Sequence, residues 1–261
     1  MVAIDFTVVK GIGIALLAGG LLLTGCSASS NKSDSNTLVI GTEGTFAPFS
    51  YHNDKDQLVG YDVEVAKAAA KKAGYKVEVK EAKWDSLIAG LDAKQYDIVA
   101  NQVTKTDERK EKYLFSDTYT YSHPAVLTKK ENASAIKSFD DLKGKKFSQT
   151  GTSNYSKLVQ QYGGEIVSTN DWNENVSLVL QNRTFGTVND TLTYLDYKQK
   201  KPNADLVIAY EGTETYEQGF LIRKSDKTTQ TKLNKALKAL KNDGTLKKLG
   251  KKYFGKDVSV K

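Results

Sequence analysis

Residues 37–100 read TLVIGTEGTFAPFSYHNDKDQLVGYDVEVAKAAAKKAGYKVEVKEAKWDSLIAGLDAKQYDIVA. The first six residues, with Leu38, Val39 and Ile40 between threonines, read as a strand. Residues 62–73 place Val63, Ala66 and Ala70 on one helical face, with Gly74 as the stop. Val77 and Val79 then alternate with charged residues, a strand pattern. Trp84, Leu87, Ile88 and Leu91 fall at i, i+3, i+4 and i+7, a helix signal, and residues 98–100 form a short buried strand. Strand–helix alternation of this kind predicts mainly parallel sheets with helices on both faces.

The alternation resumes after residues 125–128. Ser138 would cap a short helix at 139–142, and a strand follows near 146–149. Tyr155, Leu158, Val159 and Tyr162 repeat the helical spacing until Gly163-Gly164. Residues 165–168 read as a strand, and Val176, Val179 and Leu180 mark another helix. Residues 187–188, 206–209 and 219–222 read as strands. Two helices close the chain, one with Leu233, Leu237 and Leu240, the other around Leu246 and Leu249. Two such sets predict two α/β lobes. Ligands on open α/β sheets sit beyond the carboxyl ends of the strands, so the expected site is the cleft between the lobes.

Upstream, residues 11–23 read GIGIALLAGGLLL. This run is too short and Gly-rich for a comfortable membrane span and fits the apolar core of a signal peptide. The n-region is weak, with Lys10 its only basic side chain and Asp5 acidic. Leu23-Thr24-Gly25-Cys26 resembles a bacterial lipobox, which implies cleavage before Cys26 and lipid on its thiol. Residues 27–36 are rich in Ser, Asn, Lys and Asp and cannot bury a face. The expectation is a signal peptide over 1–25 and a flexible tether over 26–36, with the chain held on the outer face of the cell membrane. The alternative for Cys26 is a buried thiol at the end of a core helix.

The chain has 261 residues and a formal net charge of +7. Its lysines are dispersed, mostly beside Asp or Glu, and no zinc-finger spacing or RNA-binding signature accompanies them. They read as a solvated surface, and no nucleic-acid partner is expected. One cysteine excludes an intrachain disulfide framework, and with only His52 and His123 beside it a zinc site is not expected either. No Ser, Cys or His motif forms a nucleophile–base set, so no enzyme and no cofactor is expected. The chain is expected to be a monomer.

Several segments together resemble the polar-amino-acid family of ABC-importer solute-binding proteins. They are residues 41–49 (GTEGTFAPF), 60–64 (GYDVE), 84–87 (WDSL), 104–109 (TKTDER) and 115–119 (FSDTY) in the first half. In the second they are 141–146 (DLKGKK), 151–154 (GTSN), 241–245 (KNDGT) and 252–255 (KYFG). The likeness spans nearly all of the chain from Thr37 onward. It implies a two-lobed, type II periplasmic-binding-protein-like α/β fold. Lobe 1 would comprise residues 37–123 and 218–261, and lobe 2 residues 124–217, with hinge crossings near 122–126 and 216–220. It also implies closure over a ligand and delivery to an ABC permease in the membrane.

The resemblance further implies site roles. Arg109 would grip an α-carboxylate through parallel charge-assisted bonds, the alternative being a surface arginine of the 107–110 run. Thr104, if helical with Arg109, would add a hydroxyl and a backbone N–H, or be an N-cap. Gln102 lies two residues earlier. Thr152, Ser153 and Asn154 follow Gly151 in a strand-to-helix turn that favours an anion, or simply caps the helix. Asp190 matches the acid that pairs with the α-ammonium, although the family's usual Gly-Arg-x-Asp-Ala approach is replaced by residues 182–187 (NRTFGT). Phe46 and Trp84 would sandwich the ligand's side chain, with Trp84 equally a core residue. Glu43 would face the cleft from the loop after the first strand, or be a solvated turn carboxylate.

Residues 101–104 (NQVT), 43–45 (EGT) and 152–155 (TSNY) look most like the cystine-binding branch. Cystine has two ammonium and two carboxylate groups; Glu43 would take the second ammonium, and Gln102 or Asn154 the second carboxylate. Glu43 would equally suit arginine, lysine or histidine. An adhesin or signalling module on the same fold is the remaining alternative.

Overall fold

The computed structural model describes residues 36–261. The expected signal peptide, Cys26 and all but the last residue of the tether lie outside the described residues.

Strand β1 (Thr37–Thr42) leads into a small antiparallel sheet of β2 (Thr45–Phe46), β3 (Ser50–His52) and β4 (Leu58–Val59). Helix α1 (Tyr61–Lys72), β5 (Lys76–Glu81), α2 (Trp84–Asp92), β6 (Ile98–Val99), α3 (Asp107–Lys112) and β7 (Tyr113–Phe115) follow. After β8 (Thr120–Ser122) come β9 (Pro124–Thr128), β10 (Lys146–Thr150), α4 (Asn154–Gln161), β11 (Glu165–Thr169), α5 (Trp172–Leu180), β12 (Gly186–Asp190), α6 (Thr191–Lys200) and β13 (Val207–Glu211). Strand β14 (Tyr216–Gln218) then precedes β15 (Leu221–Arg223), α7 (Lys227–Asn242) and α8 (Thr245–Phe254).

These elements form two five-stranded sheets, ordered β5-β1-β6-β15-β7 and β11-β10-β12-β9-β13. In the first, β1 pairs in parallel with β5 and β6, while β15 runs antiparallel to β6 and β7. In the second, β10 pairs in parallel with β11 and β12, and β9 runs antiparallel to β12 and β13. The ladders are thus parallel where a helix connects the strands. They turn antiparallel at β9 and β15, the strands that enter each sheet straight from the ribbon of β8 and β14, residues 120–122 against 216–218.

Each sheet is covered on both faces. In the first lobe, Leu38, Ile40 and Ile98 pack against α1, α7 and α8 through Val65, Ala69, Leu233 and Leu246. On the other face Leu87 and Leu91 of α2 meet Val99 and Leu221. In the second lobe, Leu158 and Val159 of α4 pack on Val126 and Val188, and Trp172, Val176 and Val179 of α5 pack on Ala125 and Leu127. Helix α1 ends as the sequence predicts, at Gly74, which takes a left-handed φ of 86°.

Three sequence expectations shift. The stretch through Thr104 is not helical: Thr104 forms a β-bridge with Gln218, and α3 begins only at Asp107, capped by the Thr106 hydroxyl. The strand expected at 219–222 starts at Leu221, because Gly219 lies against the Ser116 carbonyl and donates to the Val103 carbonyl. Helix α6 has no counterpart in the reading of the sequence. It is wedged between elements, with Leu192 and Leu195 against one lobe's core and Tyr194 and Tyr197 against the other's, so no single apolar stripe marks it.

Candidate functional site

The carboxyl ends of β1, β6, β10 and β12, with the turns that leave the first three, converge as those of α/β strands are expected to. They carry Glu43, Asn101-Gln102, Ser153-Asn154 and Asn189-Asp190. With Phe46, Trp84 and Trp172 these residues line a cavity containing about 490 Å³ of space between atoms.

Glu43 is fixed by Asn101. The Asn101 side chain donates to Glu43 Oε2 at 2.6 Å, and its carbonyl accepts from the Glu43 backbone N–H and the Thr42 hydroxyl, both at 3.0 Å. Burial in the cavity, helped by Asp171 and Asp85, pushes the Glu43 carboxyl up to about 7. Across the cavity, Asp190 caps α6: its Oδ1 accepts from Thr193 N at 2.8 Å and Thr193 Oγ1 at 3.0 Å. Its Oδ2 accepts from Gln102 Nε2 at 3.3 Å. Asp190 is only 1% exposed, and burial raises its carboxyl above the ordinary range.

Arg109 is buried, and burial lowers its guanidinium to about 10. Its Nη1 donates to the Thr104 carbonyl at 3.1 Å, and the guanidinium carbon lies 5.4 Å from the Trp84 ring centroid. Trp84 also heads the core stripe of α2, so it serves packing and cavity alike. Phe46 touches the cores of both lobes and lies 5.1 Å from Phe49.

Of the residues the sequence singles out, Glu43, Phe46, Trp84, Gln102, Ser153, Asn154 and Asp190 line this inner cavity. Thr104, Arg109 and Thr152 line an adjoining outer cleft, and Asn154 is shared by the two. Ser153 caps α4, accepting from Tyr155 N at 3.1 Å. Thr152 donates to Asp85 Oδ1 through its N–H at 2.9 Å and its hydroxyl at 2.6 Å. Sequence reasoning did not select Gln149, Tyr155, Trp172, Asn175 or Asn189 as site residues. Tyr155 reads there as a helix-face residue and as part of the 152–155 stretch, Gln149 as the end of a strand, and Trp172, Asn175 and Asn189 carry no pattern.

Trp84 Nε1, a donor, and Gln102 Oε1, an acceptor, are buried in the lining without a hydrogen-bond partner, and Asn154 Nδ2 and Tyr155 Oη have none but each other. Tyr155 is near enough to feel both Arg109 and Asp190 electrostatically. The arrangement therefore offers donors beside a buried guanidinium and acceptors beside a buried carboxylate.

The lobes are drawn together over this cavity. Besides Gln102–Asp190 and Thr152–Asp85, Lys83 donates to Asn170 at 3.2 Å, and Lys157 pairs with Glu108.

A profile of bacterial extracellular solute-binding proteins, family 3, matches residues 38–256. The L-cystine-binding protein TcyA of Bacillus subtilis is 47% identical over 85% of this chain and 82% of its own length. Among solved structures, the L-cystine solute receptor of Neisseria gonorrhoeae, unliganded and open, is 41% identical over 86% of this chain and 95% of that one, with a TM-score of 0.59. An ancestral arginine-binding protein bound to arginine is 36% identical over 84% of this chain and 99% of that one, with a TM-score of 0.78. The better overlay goes with the lower identity, which agrees with lobes drawn together. By the matching profile, the two-lobed architecture and the cleft between the sheets, the chain belongs to family 3 of the bacterial extracellular solute-binding proteins.

Proposed function

We propose that this chain captures L-cystine in the cleft between its lobes and delivers it to an ABC permease. The observation that carries the reading is the placing of two carboxylates, buried Asp190 and half-buried Glu43, with donors in one cavity. Asp190, with Gln102 Oε1, suits an α-ammonium in the inner cavity, while Arg109 and Thr104, on the adjoining outer cleft, suit a carboxylate that reaches the boundary the two spaces share at Asn154. Glu43 lies at another part of the wall and suits a second ammonium. Trp84 Nε1 and Asn154 Nδ2 suit a second carboxylate, while Phe46 and Trp84 bury the apolar middle of the ligand. Relatives named for cystine binding support the same choice.

One observation favours a second reading. No Lys or Arg is among the described residues lining the inner cavity, and Asp85 and Asp171 add negative potential at Glu43. That end would equally take the side chain of arginine, lysine or histidine. Calorimetry of residues 37–261 against cystine and the common amino acids tests the proposal. Cystine is expected to bind; arginine binding tightly while cystine stays silent would refute the first reading.

In this proposal residues 37–123 and 218–261 form lobe 1 and residues 124–217 form lobe 2, swinging about the β8–β14 ribbon. The chain works as a monomer held to the membrane by lipid on Cys26, beyond the tether of residues 27–36. Mass spectrometry of the membrane-bound protein tests the anchor: a diacylglycerol adduct lost in Cys26→Ala is expected. Normal cystine uptake in a strain lacking the protein would favour an adhesin or signalling role instead.

A further inference from the structure

Asp62 lies in the first turn of α1, is 0% exposed, and makes no cap to its own helix. Its Oδ2 instead accepts from two groups distant in sequence, the Gln102 backbone N–H and the Tyr119 hydroxyl, the latter at 2.8 Å. Tyr119 is itself held, with its ring 4.7 Å from Phe220 and its carbonyl accepting from Tyr61 Oη at 2.8 Å. Gln102 has a φ of 52°, in the left-handed region that a side chain other than glycine seldom enters. Its carboxamide reaches across the cleft to donate to Asp190 Oδ2, and its Oε1 stays buried and unpartnered. Asp190 Oδ1 is committed to Thr193 and Oδ2 takes one bond from Gln102, while Gln102 Oε1 and, behind the turn, Asp62 Oδ1 are buried acceptors without a partner.

We propose that Asp62 is a positioning residue for the ligand's ammonium seat: it locks the left-handed turn at Gln102, and so brings the lobe 1 carboxamide, with its free Oε1 acceptor, up to the lobe 2 carboxylate Asp190. The seat is then assembled from both lobes, and only when they close. An acid in the first turn of a helix ordinarily serves the helix dipole. Asp62 does more, because its hydrogen bonds go to residues 102 and 119. This inference rests on the amino-acid reading above for the ligand's chemistry, but the turn it describes exists without ligand.

Two measurements test it, on residues 37–261. In the ligand-free protein, nuclear magnetic resonance of the Gln102 carboxamide, assigned by its loss in Gln102→Gly, should show a shift in Asp62→Asn and in Tyr119→Phe. Unmoved signals in both would overturn the proposal. By calorimetry with L-cystine, or with L-arginine should cystine stay silent, Asp62→Asn should weaken binding by about 10-fold, and by less than about 2-fold in the Gln102→Gly background, where glycine tolerates the turn unaided. An equal loss in both backgrounds would show that Asp62 acts by another route and overturn it. Tyr119→Phe takes the place of Asp62→Asn should the latter fail to fold. A wild type that binds no amino acid would refute the ligand reading, and the resonance measurement would then decide the positioning role by itself.

Discussion

Replacing Glu43 with Gln should change stability and ligand affinity in opposite directions, the stability difference growing as pH rises from 4.5 to about 7 and the affinity difference appearing once the native carboxyl ionises. Burial raises the Glu43 carboxyl from 4.5 to about 7. At about 1.4 kcal/mol per tenfold step, the ionised group is about 3 kcal/mol less favourable in the native state than in the unfolded chain. Between these two values the native state holds a proton that the unfolded chain has lost, so stability falls as pH rises through that window. Asp62, raised to about 7, and Asp190 act with the same sign, so the wild-type slope belongs to several groups. The difference between wild type and Glu43→Gln isolates one of them. Glutamine keeps an acceptor for the Asn101 amide and removes the charge. Urea unfolding of the ligand-free protein should show the two nearly equal in stability at about pH 5, and the variant more stable by about 2–3 kcal/mol at about pH 8. Calorimetry at about pH 8 should show the variant losing about tenfold or more in affinity for a ligand with a distal cation, about 1.4 kcal/mol. A stability difference that is the same at both pH values would refute the reasoning, because Glu43 would then not be the buried titrating group.

Arg109→Ala should weaken every α-amino acid ligand by about 3–5 kcal/mol, since it strips the buried partner from the carboxylate; an unchanged Kd in calorimetry would remove Arg109 from the site. Asp190→Asn should leave thermal stability at or above that of wild type, because Asn also caps helices and removes a buried charge. Its affinity for ligand should nevertheless fall about 100-fold or more, about 3 kcal/mol, and a parallel loss of melting temperature would assign Asp190 to structure alone. Asp85→Ala should open the lobes by deleting the contact with Thr152, increasing the radius seen by small-angle X-ray scattering and weakening binding by about 1 kcal/mol without abolishing it.

The fold was legible where one face of an element is buried and the other wet. The stripe of Trp84, Leu87 and Leu91 follows that rule, whereas the alternation of Val77 and Val79 marks an edge strand on which Val77 stays exposed; both elements stand where expected. Helix α6 escaped because it touches both lobes and so lacks a dry and a wet side. The short strands β7, β8 and β14 escaped because three residues hold too little periodicity to read. Residues such as Glu43, Trp84 and Asp190 were found through motif likeness, since nothing in their spacing distinguishes a cleft carboxylate from a surface one. Asn175 and Gln149 carry no local signal at all. Their place in the cavity comes from where β10 and α5 end, which is settled only by packing of the second lobe. Asp62 illustrates the gap: the sequence shows an acid in the first turn of a helix, and only the three-dimensional path of residues 101–104 makes it the anchor of Gln102.

Closure of this cleft sets two kinds of interaction against each other. The rim contacts, Asp85 with Thr152, Lys83 with Asn170 and Glu108 with Lys157, favour closed lobes whatever the cavity holds. They are exposed, so each contributes about 1 kcal/mol or less. The interior opposes them. Closing brings Glu43 from lobe 1 and Asp190 from lobe 2 into the same cavity, with Asp62 buried behind it, and burial raises all three carboxyls. An ammonium group placed between Asp190 and Gln102 reverses the sign of this interior term, because a partner of opposite charge favours the ionised acid. A ligand shifts an equilibrium only by its differential affinity for the two states. Aromatic contacts with Phe46 and Trp84 are available in part to an open lobe 1, whereas the seat shared by Asp190 and Gln102 exists only when the lobes meet. The buried acids, more than the aromatic walls, therefore make closure depend on the ligand, and ligands without an α-ammonium should occupy lobe 1 weakly without closing the cleft.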